Sequence, residues 1–203
     1  MYAITTGVAI NDPQGYGMGI CPLDHPVVSL DSPRLWKCSA GFSPQKPWVF
    51  VNFYNNEWTT NFRLWNGGTW SSSVRLWPIN RDDPAESLIA NSLDARCPLM
   101  GAMADGPAGK LPASQPGLEV ASKGVQVTAF GPNPDGQGTL LRLWEMAGEK
   151  GECRVTLPAY LSIKSAVPVD LRGRPAGAPV PVTDQKLTVQ LRAFGPASFL
   201  IEK

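Results

Sequence analysis

Histidine occurs once in this chain, at position 25, and charged residues are scarce: they make up 17% of the sequence, against roughly 25% in an ordinary soluble domain. A single histidine argues against a metal site, which needs several His, Cys or carboxylate ligands converging, and no pair here has ligand spacing; a Ser-His-Asp triad stays formally possible, since serine is abundant. No Gly-x-Ser-x-Gly nucleophile elbow is present to suggest a serine hydrolase. The formal net charge is +1, so there is no electrostatic footprint for nucleic acid. No run of about eighteen apolar residues occurs that could cross a membrane. Met1 to Ile10 lacks the basic start and apolar stretch of a secretory signal. Four cysteines, Cys21, Cys38, Cys97 and Cys153, lie far apart without a Cys-x-x-Cys pair. Buried thiols in a reducing compartment are expected from that scatter, although one disulfide of unassigned connectivity stays open. A cytoplasmic setting follows as the expectation.

What the sequence has is tryptophan, glycine and proline. Seven tryptophans accompany the shortage of charge, a combination that suggests surface covered by a neighbouring domain, a second copy or a sugar. Twenty glycines and twenty prolines break the chain into short segments, the punctuation of strands and turns. Val125, Val127 and Ala129 alternate with polar residues, as do Cys153, Val155 and Leu157, and Leu187, Val189 and Leu191. Period two of this kind describes antiparallel strands with one wet face. Trp48 to Tyr54 is almost continuously apolar and is expected to be covered on both faces. A strand over Trp70 to Trp77 is expected to pair with Phe62 to Trp65 across the Asn66-Gly67-Gly68 turn. Pro84 to Ala95 is the one expected helix, capped by Asp83, with Leu88, Ile89 and Leu93 near one face.

The fold class predicted is all-β, an antiparallel β-sandwich architecture. Gly101 to Gly117, rich in Gly, Pro, Ala and Ser, reads as a linker or long loop. It divides residues 1–105, a larger sandwich portion, from residues 106–203, a smaller C-terminal sandwich.

Candidate chemistry is thin. Asp24 and His25 could act as an orienting carboxylate and an acid or base, but a structural histidine is the simpler reading. The neighbouring Asp82 and Asp83 superficially suit a glycosidase, which needs two carboxylates on one substrate. Residues adjacent in sequence point apart, however, and Asp83-Pro84 reads as a helix cap. Gly15-Tyr16-Gly17-Met18-Gly19 lacks the Lys and Ser/Thr of a phosphate loop and reads as a turn into a strand. The tripeptide Arg-Leu-Trp occurs four times, at 34–36, 63–65, 75–77 and 142–144. On a strand, its Arg and Trp share one face and its Leu faces the core. Such pairs serve either as an aromatic seam between sheets or domains or as a sugar platform; the low charge favours the seam.

One stretch carries a resemblance. Tyr54-Asn55-Asn56-Glu57-Trp58-Thr59-Thr60-Asn61-Phe62 resembles a "YNN-x-W-x-TNF" segment in the β-rich region of family 38 glycoside hydrolases, the α-mannosidases and their bacterial relatives. Ile20-Cys21-Pro22-Leu23-Asp24, Trp70-Ser71-Ser72, Phe130 to Gly136, Leu140-Leu141-Arg142-Leu143, Val169 to Gly173 and Phe194 to Phe199 are similar to neighbouring parts of that region. The resemblance implies the C-terminal β-sandwich region of an α-mannosidase-like enzyme, non-catalytic and inactive alone. It implies no cofactor in this chain, since Zn²⁺ and its ligands belong to the family's N-terminal α/β domain. The implied partners are that catalytic domain and a mannose-containing oligosaccharide, with neither nucleic acid nor membrane. Tyr54, Asn55, Asn56, Trp58, Asn61 and Arg142 are the implied substrate-framing residues, with a plain turn at Asn55-Asn56 as the alternative. A free-standing carbohydrate-binding module and a self-associating structural domain are the rival readings.

Overall fold

The computed structural model describes residues 1–33, 41–54, 65, 67–103, 105–107, 109–110 and 112–202. The chain divides into two compact units, Met1–Met100 and Gly101–Lys203. Both are built from antiparallel sheets, and among the described residues there is one helix. That helix is too short to cross a membrane.

In the first unit, β1 (Tyr2–Ala3), β4 (Val27–Leu30) and β5 (Val49–Val51) form one sheet in the order β1-β4-β5. Strands β2 (Val8–Asn11), β3 (Gly17–Pro22) and β6 (Val74–Pro78) form another in the order β2-β3-β6. The glycine-rich segment is a turn feeding a strand, as expected. Asp12 Oδ1 accepts from the backbone N–H groups of Gln14 and Tyr16, and β3 begins at Gly17. Two expectations need correction. The apolar run at 48–54 yields only the three-residue edge strand β5, and Trp48, Phe53 and Tyr54 are about half exposed. Apolar character there fills a surface rather than a two-sided core. The strand expected from Trp70 begins at Val74 and pairs with β3, because Ser71 to Ser73 offer no apolar alternation to bury. Of its expected partner, Phe62 to Trp65, residues 62–64 lie outside the described residues, and Trp65 belongs to no strand.

Helix α1 (Pro84–Arg96) starts where capping chemistry places it. Asp83 Oδ1 accepts from Glu86 N at 3.3 Å, and Pro84 occupies the first turn, where its missing N–H costs nothing. The helix packs on β3, and Arg96 closes its far end by donating to the carbonyls of Thr6 and Pro22. The buried positions are Ile89, Ser92 and Ala95. Leu93, expected on the core face, is exposed. The contact with β3 is narrow, and small residues at 92 and 95 let the backbones approach.

The second unit is the better-formed sandwich. Its strands are β7 (Glu119–Val120), β8 (Val125–Pro132), β9 (Thr139–Glu145), β10 (Gly151–Thr156), β11 (Ser165–Val169), β12 (Val180–Pro181), β13 (Lys186–Leu191) and β14 (Pro196–Glu202). One sheet has the order β13-β10-β7 and the other β12-β11-β14-β9-β8. The core joins Leu141, Leu143, Phe199 and Ile201 of the larger sheet with Cys153, Val155, Leu187, Val189 and Leu191 of the smaller. Leu141, Leu143, Val155 and Leu187 have no solvent exposure, each burial being worth about 1.5–3 kcal/mol. Alternation read from the sequence holds throughout β10 and β13. In β8 it slips, because a bulge between Val127 and Ala129 shifts the register. Phe130, rather than Ala129, then continues the packing against the core.

Candidate functional site

In the first unit, short backbone ties bring four rings to one surface. Leu23 N donates to Ser73 O, and Ser73 N donates to Asp24 Oδ2 at 2.7 Å, so the 23–26 loop is fixed beside residue 73. Asn52 N donates to Val27 O, which places Phe53 and Tyr54 next to that loop as the chain leaves β5. The His25 ring lies 5.5 Å from Phe53 and 6.0 Å from Tyr54, and Tyr54 meets Trp70 edge-on at 5.8 Å. Edge-to-face contacts of this kind hold rings in fixed relative orientation. Phe53, Tyr54 and Trp70 keep 45%, 55% and 49% of their surface open to solvent. The result is an aromatic surface with polar tips, the phenol, the imidazole and the indole N–H. Asp24 is engaged with Ser73 through Oδ2, so the Asp-His pairing has a structural account.

Of the residues implied as substrate-framing, Tyr54 belongs to this surface. Asn55, Asn56, Trp58 and Asn61 lie outside the described residues. Arg142 sits in the second unit, where its Nε donates to Ser198 Oγ at 3.0 Å across the β9–β14 pair.

The Arg-Leu-Trp copies diverge. At 142–144, Leu143 is fully buried while Trp144 is 43% exposed, the expected arrangement. At 75–77 the faces are reversed. Leu76 is 56% exposed, and Trp77 lies against Gly19 on the neighbouring strand. Strand parity is fixed by the sheet it joins: Gly19 and Cys21 hold the buried face of β3, so Trp77, opposite Gly19, goes with them. Trp65, the described part of a third copy, is exposed. Arg34 to Trp36, and Arg63 and Leu64, fall outside the described residues.

That reversal leaves an apolar sheet face partly open. Val8, Ile20 and Leu76 form one cross-strand row and Ile10, Met18 and Pro78 the next; Val8, Ile10 and Ile20 are half-buried, and Pro22, opposite Val74, is fully buried. Met18, Val74 and Leu76 are 47%, 39% and 56% exposed.

Asp83 is the helix cap, and its neighbour Asp82 lies 3.6 Å from Arg81 on the open surface. Cys21 and Cys153 are buried free thiols and Cys97 an exposed one; Cys38 is outside the described residues. Among the described residues, no three His, Cys, Asp or Glu side chains come together as a metal site would require.

One residue escaped the sequence reading. Glu145 ends β9 on the same face as Leu141 and Leu143 and is only 2% exposed. Its carboxylate accepts from Ala147 N at 2.7 Å, Gly148 N at 3.1 Å and Phe194 N at 2.7 Å. Burial pushes its pKa up, but the N–H groups of Phe194, Glu149, Ala147 and Gly148 outweigh that and hold it below the ordinary glutamate value. A Leu-x-Leu-x-Glu alternation running into Ala147-Gly148 was the available sign.

Residues 124–194, from the start of β8 to the turn after β13, match the family model described as the glycosyl hydrolases family 38 C-terminal beta sandwich domain. Of the segments read as similar, Phe130 to Gly136, Leu140 to Leu143 and Val169 to Gly173 lie within this stretch, while Ile20 to Asp24, Tyr54 to Phe62 and Trp70 to Ser72 lie outside it. Comparison with curated proteins gave no match, and neither did comparison with solved structures.

Proposed function

We propose that the chain is a non-catalytic C-terminal β-sandwich portion of an α-mannosidase-like glycoside hydrolase, which supports the catalytic domain and helps frame its sugar cleft. The observation that carries this reading is the match of residues 124–194 to the family 38 C-terminal sandwich. The functional-group inventory supports it, since the one histidine packs among aromatic rings and the paired aspartates cap a helix and face solvent. The partly open apolar face of β2, β3 and β6, with Met18, Val74 and Leu76 exposed, suits a docking role, because a face of that composition gains from being covered.

The test is twofold. The chain alone, supplied with Zn²⁺ and an aryl α-mannoside, should release aglycone at the blank rate; turnover above blank overturns the reading. Association with the parent's catalytic domain, followed by sedimentation, should weaken in Leu76→Lys. Equal association of the variant would remove the docking face from the proposal.

The aromatic surface of His25, Phe53, Tyr54 and Trp70 supports a second reading, a carbohydrate-binding module, since exposed rings with polar tips suit sugar faces and hydroxyls. Titration with mannose oligosaccharides should then give a saturable change in tryptophan fluorescence that Tyr54→Ala and Trp70→Ala abolish. No saturable change eliminates it.

A further inference from the structure

Glu145 occupies a core position of the second sandwich, yet it carries a carboxylate. The groups that satisfy it come from two separate stretches of chain. Ala147 and Gly148 belong to the turn between β9 and β10, and Phe194 to the turn between β13 and β14. Both turns are bent to reach it. Gly148 has φ +87° and Phe194 φ +52°, the second a left-handed backbone that a bulky residue adopts only when its surroundings enforce it. The Phe194 ring closes over Gly148, where a Cβ would stand 2.5 Å from Cζ, while 68% of the residue stays exposed. Glu145 N also donates to Gly195 O at 3.1 Å, which fastens the same turn from the backbone side.

We propose that Glu145 is a proton-operated latch: its carboxylate clamps the β13–β14 turn and the exposed Phe194 onto the β9–β10 turn, and protonation frees this end of the sandwich while the sheets stay folded. A carboxylate offers only acceptors, matching the N–H groups around it; a carboxylic acid must place its proton on an oxygen that already faces a donor. Charged neighbours are Lys123 before β8, Glu149 and Lys150 in the β9–β10 turn, Glu152 on β10 and Arg192 in the β13–β14 turn. They are mixed in sign, and the hydrogen bonds to the carboxylate come from backbone. Because those bonds hold the acid form off, the latch stays closed through mild acidity and opens below the ordinary glutamate range.

Hydrogen exchange on the full chain between pH 7 and pH 3, corrected for intrinsic rates, tests this. Amides at 147–148 and 194 should lose protection by about tenfold or more as the pH falls, while the β10–β13 ladder stays protected. Glu145→Gln should show the same loosening at pH 7. Should that variant fail to fold, the carboxyl ¹³C titration of Glu145 in the natural chain must share its midpoint with the loss of turn protection. Turn amides that stay protected, that open together with the ladder, or that open at a different midpoint would overturn the latch.

Discussion

Placing a methyl group at Gly19 should destabilise the first unit through one neighbour, Trp77. Gly19 lies on the central strand of the β2-β3-β6 sheet, directly opposite Trp77. A Cβ there would stand 2.2 Å from Cε2 of the indole and 2.5 Å from both Cζ2 and Nε1. Contacts that short cannot be kept, so the ring or the strand must move. Overpacking of this kind costs about 1–3 kcal/mol. Against it stands the gain from replacing glycine by alanine within a strand, roughly 0.5–1 kcal/mol. Gly19→Ala should therefore lose about 1 kcal/mol, and at most about 2.5 kcal/mol, in urea titrations followed by far-ultraviolet circular dichroism. In a Trp77→Ala background the clash is gone and the same substitution should be neutral or mildly stabilising, giving a coupling energy of about 1–3 kcal/mol. If Gly19→Ala has the same effect with and without Trp77, the account of this glycine is wrong.

In the second unit, Leu187→Ala removes a fully buried side chain and should cost about 2–5 kcal/mol, read from the guanidinium midpoint. Asp83→Ala removes the acceptor for Glu86 N and should cost about 1 kcal/mol, with loss of helical signal at 222 nm. The Asp170 carboxyl is held below its ordinary value by the backbone N–H groups of Arg174 and Arg172. A depressed folded pKa stabilises above the unfolded value and loses that contribution as pH falls through the folded one. NMR titration should thus place Asp170 below the ordinary aspartate value, and Arg174→Ala should keep most of the shift, because the donor is backbone; full recovery of the ordinary value would assign the effect to the guanidinium.

Strands were legible where one face meets a core and the other meets water, since alternation then records burial residue by residue. Strands β10 and β13 are of this kind, with Val155 and Leu187 paired across the ladder and both fully buried. The cap at Asp83 was legible for a different reason, because its hydrogen bond closes within three residues. Features depending on distant chain were not. The bulge in β8 depends on how β9 pairs with it, and the role of Glu145 depends on Phe194, forty-nine residues away.

The Arg-Leu-Trp tripeptide separates these two kinds of information. Its local geometry is the same at 75–77 and 142–144: alternate side chains point to opposite faces. Which face is the inner one is a property of the neighbouring strands. At 142–144, β14 and β8 flank β9 and the leucine enters a core already populated by Leu141 and Phe199. At 75–77, Trp77 stands opposite Gly19 of β3, and the indole fits there because glycine brings no side chain. The absent Cβ of Gly19 thus leaves room for Trp77 on the face it shares with Cys21, and Leu76 turns to the other. Leu76→Lys should therefore act on association, while Gly19→Ala, on the opposite face, acts on stability.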